Sequence, residues 1–241
     1  MPQDLTGLSA LFNLIFAGNP GLMKLRCISL FSLLFSLGVK TYAQSNYFIE
    51  DPKVFNGGLI LGLNFSQIDG DTYYGYHKVA LNAGGVVYVH FTPAFGASME
   101  LLYSRKGSRG EDVTESPAIG TYVTKYFMNV NYVEVPLTLH YIYYKFDVEA
   151  GISYAYLVSS SEWVQADQPV LIDPVANAFN KTDLEYIFGL SRRLYKKLYA
   201  NARFEYSITS IRPADRIPLG YGYGNQGQFN NLFSLRFIYL F

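Results

Sequence analysis

The C-terminal segment 230–241 constrains the fold more tightly than any other part of the chain. It reads NNLFSLRFIYLF, and in an extended strand the residues at every second position share one face. One face holds Phe233, Leu235, Phe237, Tyr239 and Phe241. Such an apolar face, opposite a mixed face that includes Ser234 and Arg236, is typical of a strand that contacts lipid in an outer-membrane β-barrel. The same five residues predict the C-terminal signal that the barrel-assembly machinery recognises.

The N-terminal part has the features of a secretory signal peptide. Two cationic residues, Lys24 and Arg26, precede an apolar run at 27–39, and Ala43 is a small residue before a predicted cleavage site. The run is shorter than the roughly 20 residues that a membrane-spanning helix needs. We expect residues 1–22 to be a misassigned start or extra leader, 23–43 a signal peptide, 44–56 a periplasmic lead-in and 57–241 the barrel. The single cysteine, Cys27, lies in this leader, so we expect no disulfide in the mature chain.

Eight segments after the lead-in alternate apolar and polar side chains with the period of a β-strand. They are 57–66, 78–91, 95–106, 126–141, 145–157, 183–192, 198–208 and 230–241. Short connections at 92–94, 142–144 and 193–197 alternate with longer polar ones at 67–77, 107–125, 158–182 and 209–229. Tight turns at one end and long loops at the other are the arrangement of an outer-membrane barrel. The sequence therefore predicts an all-β, eight-stranded antiparallel up-and-down transmembrane β-barrel, monomeric and located in the outer membrane.

Two interruptions of the strand pattern predict local features of the backbone. The pair Gly84–Gly85 in the second segment indicates a bend or a close approach of two backbones. Pro136 in the fourth segment lacks an N–H group and would cost a central strand one ladder hydrogen bond, so we expect a β-bulge there.

Charged side chains recur on the face opposite the apolar one, where they would point into the lumen. The predicted lumen charge network consists of Glu100, Glu134, Asp147, Glu149, Glu185, Arg203, Glu205 and Arg236, and Lys106 shares their face. The interior of an eight-stranded barrel is only just wide enough for side chains to fill it, and buried charges need partners to offset lost hydration. We therefore expect Arg203 and Arg236 to bind carboxylates of the Glu134–Glu149 group and the network to plug the lumen.

Composition and motifs exclude some functions and leave others open. The 19 basic and 19 acidic residues cancel, which argues against nucleic acid as a partner. Metal-ligand spacings, phosphate-binding glycine loops and HExxH motifs do not occur, so we expect no catalytic, cofactor-binding or metal-binding residues and a non-enzymatic protein. The alternatives are a barrel enzyme that acts on lipid or peptide and uses His77 with a serine and Asp69 or Asp71, a narrow small-solute pore, and a soluble lipocalin-like barrel with its apolar face inside.

Two features of the predicted outer end are candidates for contacts with other molecules. Arg105, Lys106 and Arg109 are expected to lie near the outer rim and to pair with lipopolysaccharide phosphates. The segment 220–225, GYGYGN, is a glycine-rich aromatic stretch that we expect to be mobile. It suits a surface glycan or a protein partner, and it equally suits a surface loop without a partner.

The fourth segment also carries a family resemblance. Residues 131–137 read NYVEVPL, which resembles the NY[IV]E[IV]PL strand of the PorT-like outer-membrane β-barrel family of Bacteroidota. The stretches GGLILGLN at 57–64 and LLYSRKG at 101–107 and the terminal Phe241 are similar to that family as well. The resemblance covers residues 57–241 and implies an eight-stranded outer-membrane barrel. It implies less about activity, although the namesake of the family is linked to type IX protein secretion. We expect a structural or interaction role in the cell envelope, and the resemblance alone suggests a part in protein secretion or surface assembly.

Overall fold

A computed structural model of the protein describes residues 55–116, 120–165, 172–218, 220–222 and 224–241, with the backbone alone described at 113–116 and 120–123. The predicted leader and signal peptide and nearly all of the predicted lead-in lie outside the described residues.

Eight β-strands close into a barrel. They are β1 Phe55–Asp69, β2 Lys78–His90, β3 Phe95–Ser116, β4 Gly120–Tyr143, β5 Phe146–Gln165, β6 Thr182–Tyr195, β7 Leu198–Ser207 and β8 Phe229–Leu240, with a 3₁₀ helix at Ala214–Arg216. Each strand pairs antiparallel with the next, and β8 pairs with β1 to complete the ring. In the described part, no helix is long and apolar enough to cross a membrane. The predicted fold class and strand count are confirmed.

The strands place apolar side chains outside the ring and polar ones inside it. On β1, Leu59 and Leu61 are 62% and 60% exposed, whereas Asn64, inside, is completely buried. This alternation follows from the two-residue period of the strand. It is the reverse of the pattern in a soluble barrel, so the lipocalin-like alternative is wrong.

The strands β3, β4 and β5 extend much further than the sequence pattern predicts. The segment 107–125, expected to be a loop, continues as paired strand to Ser116 and resumes at Gly120. Likewise β5 runs to Gln165 rather than to residue 157. The extension was missed because its outward residues are largely polar, as at Arg109 and Glu111. A strand with polar residues on its outer face no longer shows the contrast on which sequence pattern analysis depends.

The predicted bulge at Pro136 is wrong. Pro136 pairs with Ser153 in continuous register, and the register between β4 and β5 shifts instead between Asn131 and Tyr132. There, Val158 of β5 has no partner on β4. The extra residue changes which positions of β5 face inward.

The close approach predicted at Gly84–Gly85 is confirmed for Gly84. A Cβ atom on Gly84 would lie 2.0 Å from the carbonyl oxygen of Leu101 on β3. A Cβ atom on Gly85 would meet only the carbonyl oxygen of Gly58, at 3.6 Å. Only one glycine of the pair is therefore required by packing.

Candidate functional site: the filled lumen and the outer wall

The first lumen cluster, here called the arginine cluster, consists of Glu100, Glu149, Asn201, Arg203 and Arg236. The Arg203 guanidinium donates to both oxygens of Glu100, at 3.0 and 2.7 Å, and to Glu149 Oε1 at 2.7 Å. Arg236 donates to Glu100 Oε2 at 2.8 Å and to Asn201 Oδ1 at 2.8 Å. Two guanidinium groups face two carboxylates, so the formal charges of this cluster cancel.

The arginine cluster is buried, with Arg203 and Arg236 only 1% and 2% exposed. Removing such charges from water is costly, and paired, bidentate hydrogen bonds offset that cost. Of the carboxylates of the Glu134–Glu149 group that we expected to bind Arg203 and Arg236, Glu149 lies beside both. Glu134 belongs to the other charged cluster of the lumen.

The second cluster, here called the lysine cluster, surrounds Lys106. Its Nζ lies 2.6 Å from Glu134, 2.5 Å from Glu185 and 3.7 Å from Glu205, and all four side chains are fully buried. The three carboxylates also lie close enough to supply ligands to one metal ion, with one oxygen of each within 4.8 Å of the others. The ammonium group of Lys106 therefore occupies the position that a bound metal ion would take. One ammonium among three carboxylates makes this cluster depend strongly on Lys106.

The predicted position of Lys106 at the outer rim is therefore wrong. Lys106 points into the lumen because it occupies an even-numbered position of β3, in phase with Ser104 and Glu100, which are also buried. Its two neighbours in the proposed rim set, Arg105 and Arg109, are exposed on the outer face.

Aromatic rings fill the outer end of the lumen. Tyr126 of β4 stacks between Tyr73 of the β1–β2 loop and Tyr221 of the β7–β8 loop, with both centroid distances 5.1 Å. Glu162 accepts hydrogen bonds from Tyr126 and from Arg212, whose Nη2 lies 2.5 Å from Glu162 Oε2. The segment 220–225, which was expected to be a mobile surface loop, thus contributes a packed ring to this plug.

Asp71 ties two of the outer loops together beside this plug. Its backbone bridges to Gly222, and its Oδ1 accepts a hydrogen bond of 2.8 Å from the Tyr73 amide. Burial raises the pKa of Asp71 from 3.8 to about 7, against a hydrogen bond from Ser108 that lowers it. The closed arrangement of the loops therefore favours the protonated carboxyl group.

A polar relay lies at the turn end of the lumen. Ser98 Oγ is 2.9 Å from His140 Nε2, and His140 Nδ1 is 3.0 Å from Asp147 Oδ1. The same Nε2 lies 2.9 Å from Thr138 Oγ1. Asp147, predicted as part of the charge network, belongs to this relay and also accepts a hydrogen bond from Tyr88 at 3.3 Å. A cavity of about 50 Å³, large enough for water molecules, adjoins the relay.

Sequence inspection missed the relay and singled out His77 instead. In the described part, no hydrogen bond joins the His77 imidazole to a serine or to an aspartate. The ring packs against Gly75 instead, so closely that a Cβ atom on Gly75 would lie 2.6 Å from His77 Nε2. The signal that could have found the relay is strand register, since Ser98 pairs with Thr138 across β3 and β4.

Four residues of the predicted assembly signal face outward on β8 and the fifth, Phe241, directly follows the strand; their exposed fractions lie between 47% and 57%. The four on β8 pair on one side with β1 and on the other with β7. This face is contiguous with the apolar belt of the barrel. Its recognition by the assembly machinery stays a prediction.

The wall of the extended strands carries three rows of outward side chains beyond the apolar belt. In the first, Arg105 Nε donates to Asn131 Oδ1 at 3.1 Å, and Asn131 donates to Ser159 at 2.8 Å. In the second, Asn129 accepts a hydrogen bond from Lys78 and donates to Ser161 at 3.2 Å.

In the third row, the Arg109 guanidinium lies 5.2 Å from the ring centroid of Phe127, which stacks on Trp163 at 5.1 Å. Each row therefore contains one cation and continues across β4 to β5.

Comparison with known proteins gives a family match. The model of the outer membrane protein beta-barrel domain family matches residues 42–212, which is more than half of the chain. No curated protein matches the sequence. Among solved structures, the attachment invasion locus protein Ail of Yersinia pestis is 14% identical, with a TM-score of 0.41 over 78% of this chain and 100% of that chain.

Two other solved outer-membrane proteins are similar at the same level of identity. OprG from Pseudomonas aeruginosa is 14% identical, with a TM-score of 0.33 over 78% of this chain and 94% of that chain. AlkL, solved in lipid bilayers, is 14% identical, with a TM-score of 0.35 over 81% of this chain and 95% of that chain.

Proposed function

Because this chain belongs to the outer membrane protein β-barrel domain family and lies in the outer membrane, we propose that it is a non-catalytic barrel with an interaction role in the cell envelope. The barrel spans the membrane with its lumen closed and presents its outer loops and extended wall to other molecules. The observation that carries the proposal is the Arg203–Glu100 ion pair, which joins β7 to β3 through the interior. In a ring of eight, these two strands are opposite one another.

The filled interior argues against transport as the main role. The arginine and lysine clusters occupy the middle of the lumen, and the tyrosine stack occupies its outer end. An eight-stranded barrel has little space beyond what side chains fill. Function is then expected where the structure is unusual, in the extended strands β3 to β5 and the loops around Tyr221.

A part in protein secretion or surface assembly is the more specific form of the proposal. It is supported by the resemblance of residues 131–137 to the PorT-like family. In this form, the partners are the barrel-assembly machinery, which would act on β8, and a component of a secretion apparatus or a surface protein at the loops.

Deletion of the gene tests this role. The measurement compares proteins at the cell surface and in the medium with those retained in the periplasm. Periplasmic retention of normally exported proteins, restored by the wild-type gene, supports a secretion role. Unchanged export contradicts it and leaves an envelope barrel with another partner. Photo-crosslinking from an unnatural amino acid at position 225, which is exposed in the β7–β8 loop, then identifies what contacts the loops, and a barrel that captures no protein from intact cells contradicts the interaction role itself.

A second candidate function is hydrolysis, favoured by the Ser98–His140–Asp147 relay. Its two hydrogen bonds have the order of nucleophile, base and orienting acid. Ser98 lies, however, within a strand whose backbone pairs with both neighbours, so adjacent amide groups are committed to the sheet rather than available to an oxyanion. A fluorophosphonate probe tests this candidate: labelling of the wild type that is lost in Ser98→Ala would establish a reactive serine, and absence of labelling would exclude one.

A further inference from the structure

We propose that Lys78, Arg105 and Arg109 form a binding site for a phosphorylated glycolipid of the outer leaflet, with its phosphate held by the three cations. The proposal goes beyond the interaction role above, because it concerns the wall of the barrel and a lipid rather than the loops and a protein. We call these residues, with Asn129, Asn131 and the Phe127–Trp163 pair, the wall site.

The wall site lies directly beyond the apolar belt. The last apolar row on this wall is Tyr103, Val133 and Tyr156, which are paired across β3, β4 and β5 and are 39%, 38% and 52% exposed. The next outward position on β3 is Arg105, paired with Asn131. A side chain at this height faces the headgroup region, where lipid phosphates lie.

The end of the barrel at which the wall site lies determines which leaflet of the membrane it contacts. The wall site is on the side of the long connections, whereas the turn at 144–145 closes the opposite end. In outer-membrane barrels the long loops are extracellular and the tight turns periplasmic. The outer leaflet is therefore the one whose headgroups meet Arg105.

The three cations belong to three successive rows of the wall and lack acidic partners. Among the described side chains, none of Lys78, Arg105 and Arg109 forms an ion pair with a carboxylate. By contrast, Lys125, further along the same wall, lies 3.4 Å from Glu111. Like charges placed together without counter-charges repel one another, so an anion between them would relieve that repulsion.

Lys78 supplies the cation of the second row, in which β3 contributes a glycine. Gly107 is the cross-strand partner of Asn129 and has φ +135°. A Cβ atom at this position would lie 2.1 Å from the Met128 carbonyl oxygen. Because Gly107 has no side chain, the row that it begins would lack a cation, and Lys78 supplies one through its hydrogen bond to Asn129.

The aromatic pair beside the cations extends the site toward a sugar. Arg109 lies over Phe127, and Trp163, stacked on Phe127, is 45% exposed. The electron-rich face of an aromatic ring attracts partly positive groups, such as the C–H bonds on one face of a pyranose. Cations that can bind a phosphate, next to an exposed indole that can pack against a sugar, are the combination expected in a binding site for a phosphorylated sugar headgroup.

The decisive experiment measures binding of lipid A by native mass spectrometry in mixed detergent micelles. Wild-type protein is compared with a wall variant, Lys78→Gln, Arg105→Gln and Arg109→Gln, and with a control variant, Lys125→Gln, Lys145→Gln and Arg192→Gln, which has the same change of charge at other sites. Charge-assisted hydrogen bonds are the strong ones, so the wall variant should bind bisphosphorylated lipid A at least about tenfold more weakly. The control variant should bind like the wild type.

Lipid A stripped of its phosphates separates the phosphate contribution from the acyl chains. We expect the wild type to bind it as weakly as the wall variant does. Equal binding of phosphorylated lipid A by all three proteins would overturn the proposal. So would equally tight binding of phosphatidylglycerol or effective competition by inorganic phosphate, since either would indicate a general anion site rather than a glycolipid site.

A charge-preserving variant guards against a folding defect. Arg105→Lys with Arg109→Lys should keep most of the affinity for phosphorylated lipid A. Folding of every variant is checked by heat-dependent migration on a gel. If the triple variant does not fold, the single change Arg105→Gln replaces it, and undiminished binding by that folded variant overturns the proposal.

Discussion

Arg203 and Glu100 face each other through the centre of the barrel, with Nη2 and Oε1 2.7 Å apart. One residue comes from β7 and the other from β3, so the pair connects opposite walls. Arg236 reaches the same carboxylate from β8 at 2.8 Å. Ion pairs thus cross the interior and brace the ring, and removal of one member leaves an uncompensated buried charge.

The lysine cluster should be the most sensitive site for folding. Lys106→Met removes the one cation among Glu134, Glu185 and Glu205, and we expect the free energy of unfolding to fall by about 3–5 kcal/mol, the usual cost of breaking a buried ion pair. Urea titration of the barrel in liposomes, followed by migration on a gel, measures the change.

Lys125→Met is the matched control for that substitution. Its partner Glu111 is 3.4 Å away on an exposed surface, so we expect a loss of at most about 1 kcal/mol. Adding Glu134→Gln and Glu185→Gln to Lys106→Met should restore much of the stability. A Lys106→Met variant as stable as Lys125→Met would show that the carboxylates do not need the ammonium.

The adjacent glycines of β2 should differ in their tolerance of a methyl group. Gly84→Ala places a Cβ atom 2.0 Å from the backbone of Leu101, which only a shift of β3 can relieve, so we expect a loss of about 1–3 kcal/mol or more. Gly85→Ala meets only one oxygen, at 3.6 Å, and should change stability by less than about 0.5 kcal/mol. Equal stabilities in urea titration would contradict this packing argument.

The outer loops should close more firmly as the pH falls. Burial, together with the nearby charges of Asp69 and Glu162, raises the pKa of Asp71 to about 7, whereas in an open loop it would be near 3.8. Between these values the closed form binds more protons than the open form, so closure is favoured at low pH and is progressively lost as the pH rises toward 7.

Hydrogen exchange at the Tyr73 amide, which donates to Asp71, reports this closure. After correction for intrinsic exchange rates, protection should be greater at pH 5 than at pH 8. Asp71→Asn cannot ionise, so its protection should be the same at both values. Protection of the wild type that increases with pH would mean that the ionised carboxylate is the stabilising form.

The strands of the membrane belt are predictable from sequence, whereas the extension beyond them is not. Residues such as Leu59 and Phe237 alternate with polar neighbours because one face meets lipid and the other the lumen. Beyond residue 106 the outward positions of β3 hold groups such as Arg109 and Glu111, so the contrast between the faces disappears while the backbone ladder continues.

The partners of the lumen charges also require the structure. The alternation of β3 correctly places Glu100 and Lys106 inside, but the stagger of strands around the ring decides which charge meets which. The bulge at Val158 adds a further effect that the pattern does not reveal. Inward positions are odd-numbered before it, as at Leu157, and even-numbered after it, as at Glu162, whose contact with Arg212 depends on that change.

Single-channel recording in planar bilayers tests the closed lumen most directly. The wild-type barrel should give no discrete conductance steps, because the arginine cluster and the lysine cluster fill its cross-section. One variant removes the charges of the arginine cluster in balanced pairs, by changing four residues to Ala: Glu100, Glu149, Arg203 and Arg236. A second variant also changes the four residues of the lysine cluster to Ala, namely Lys106, Glu134, Glu185 and Glu205, and this emptied barrel should conduct. Regular conductance steps from the wild type, as large as those of the emptied barrel, would contradict a lumen closed by its own side chains.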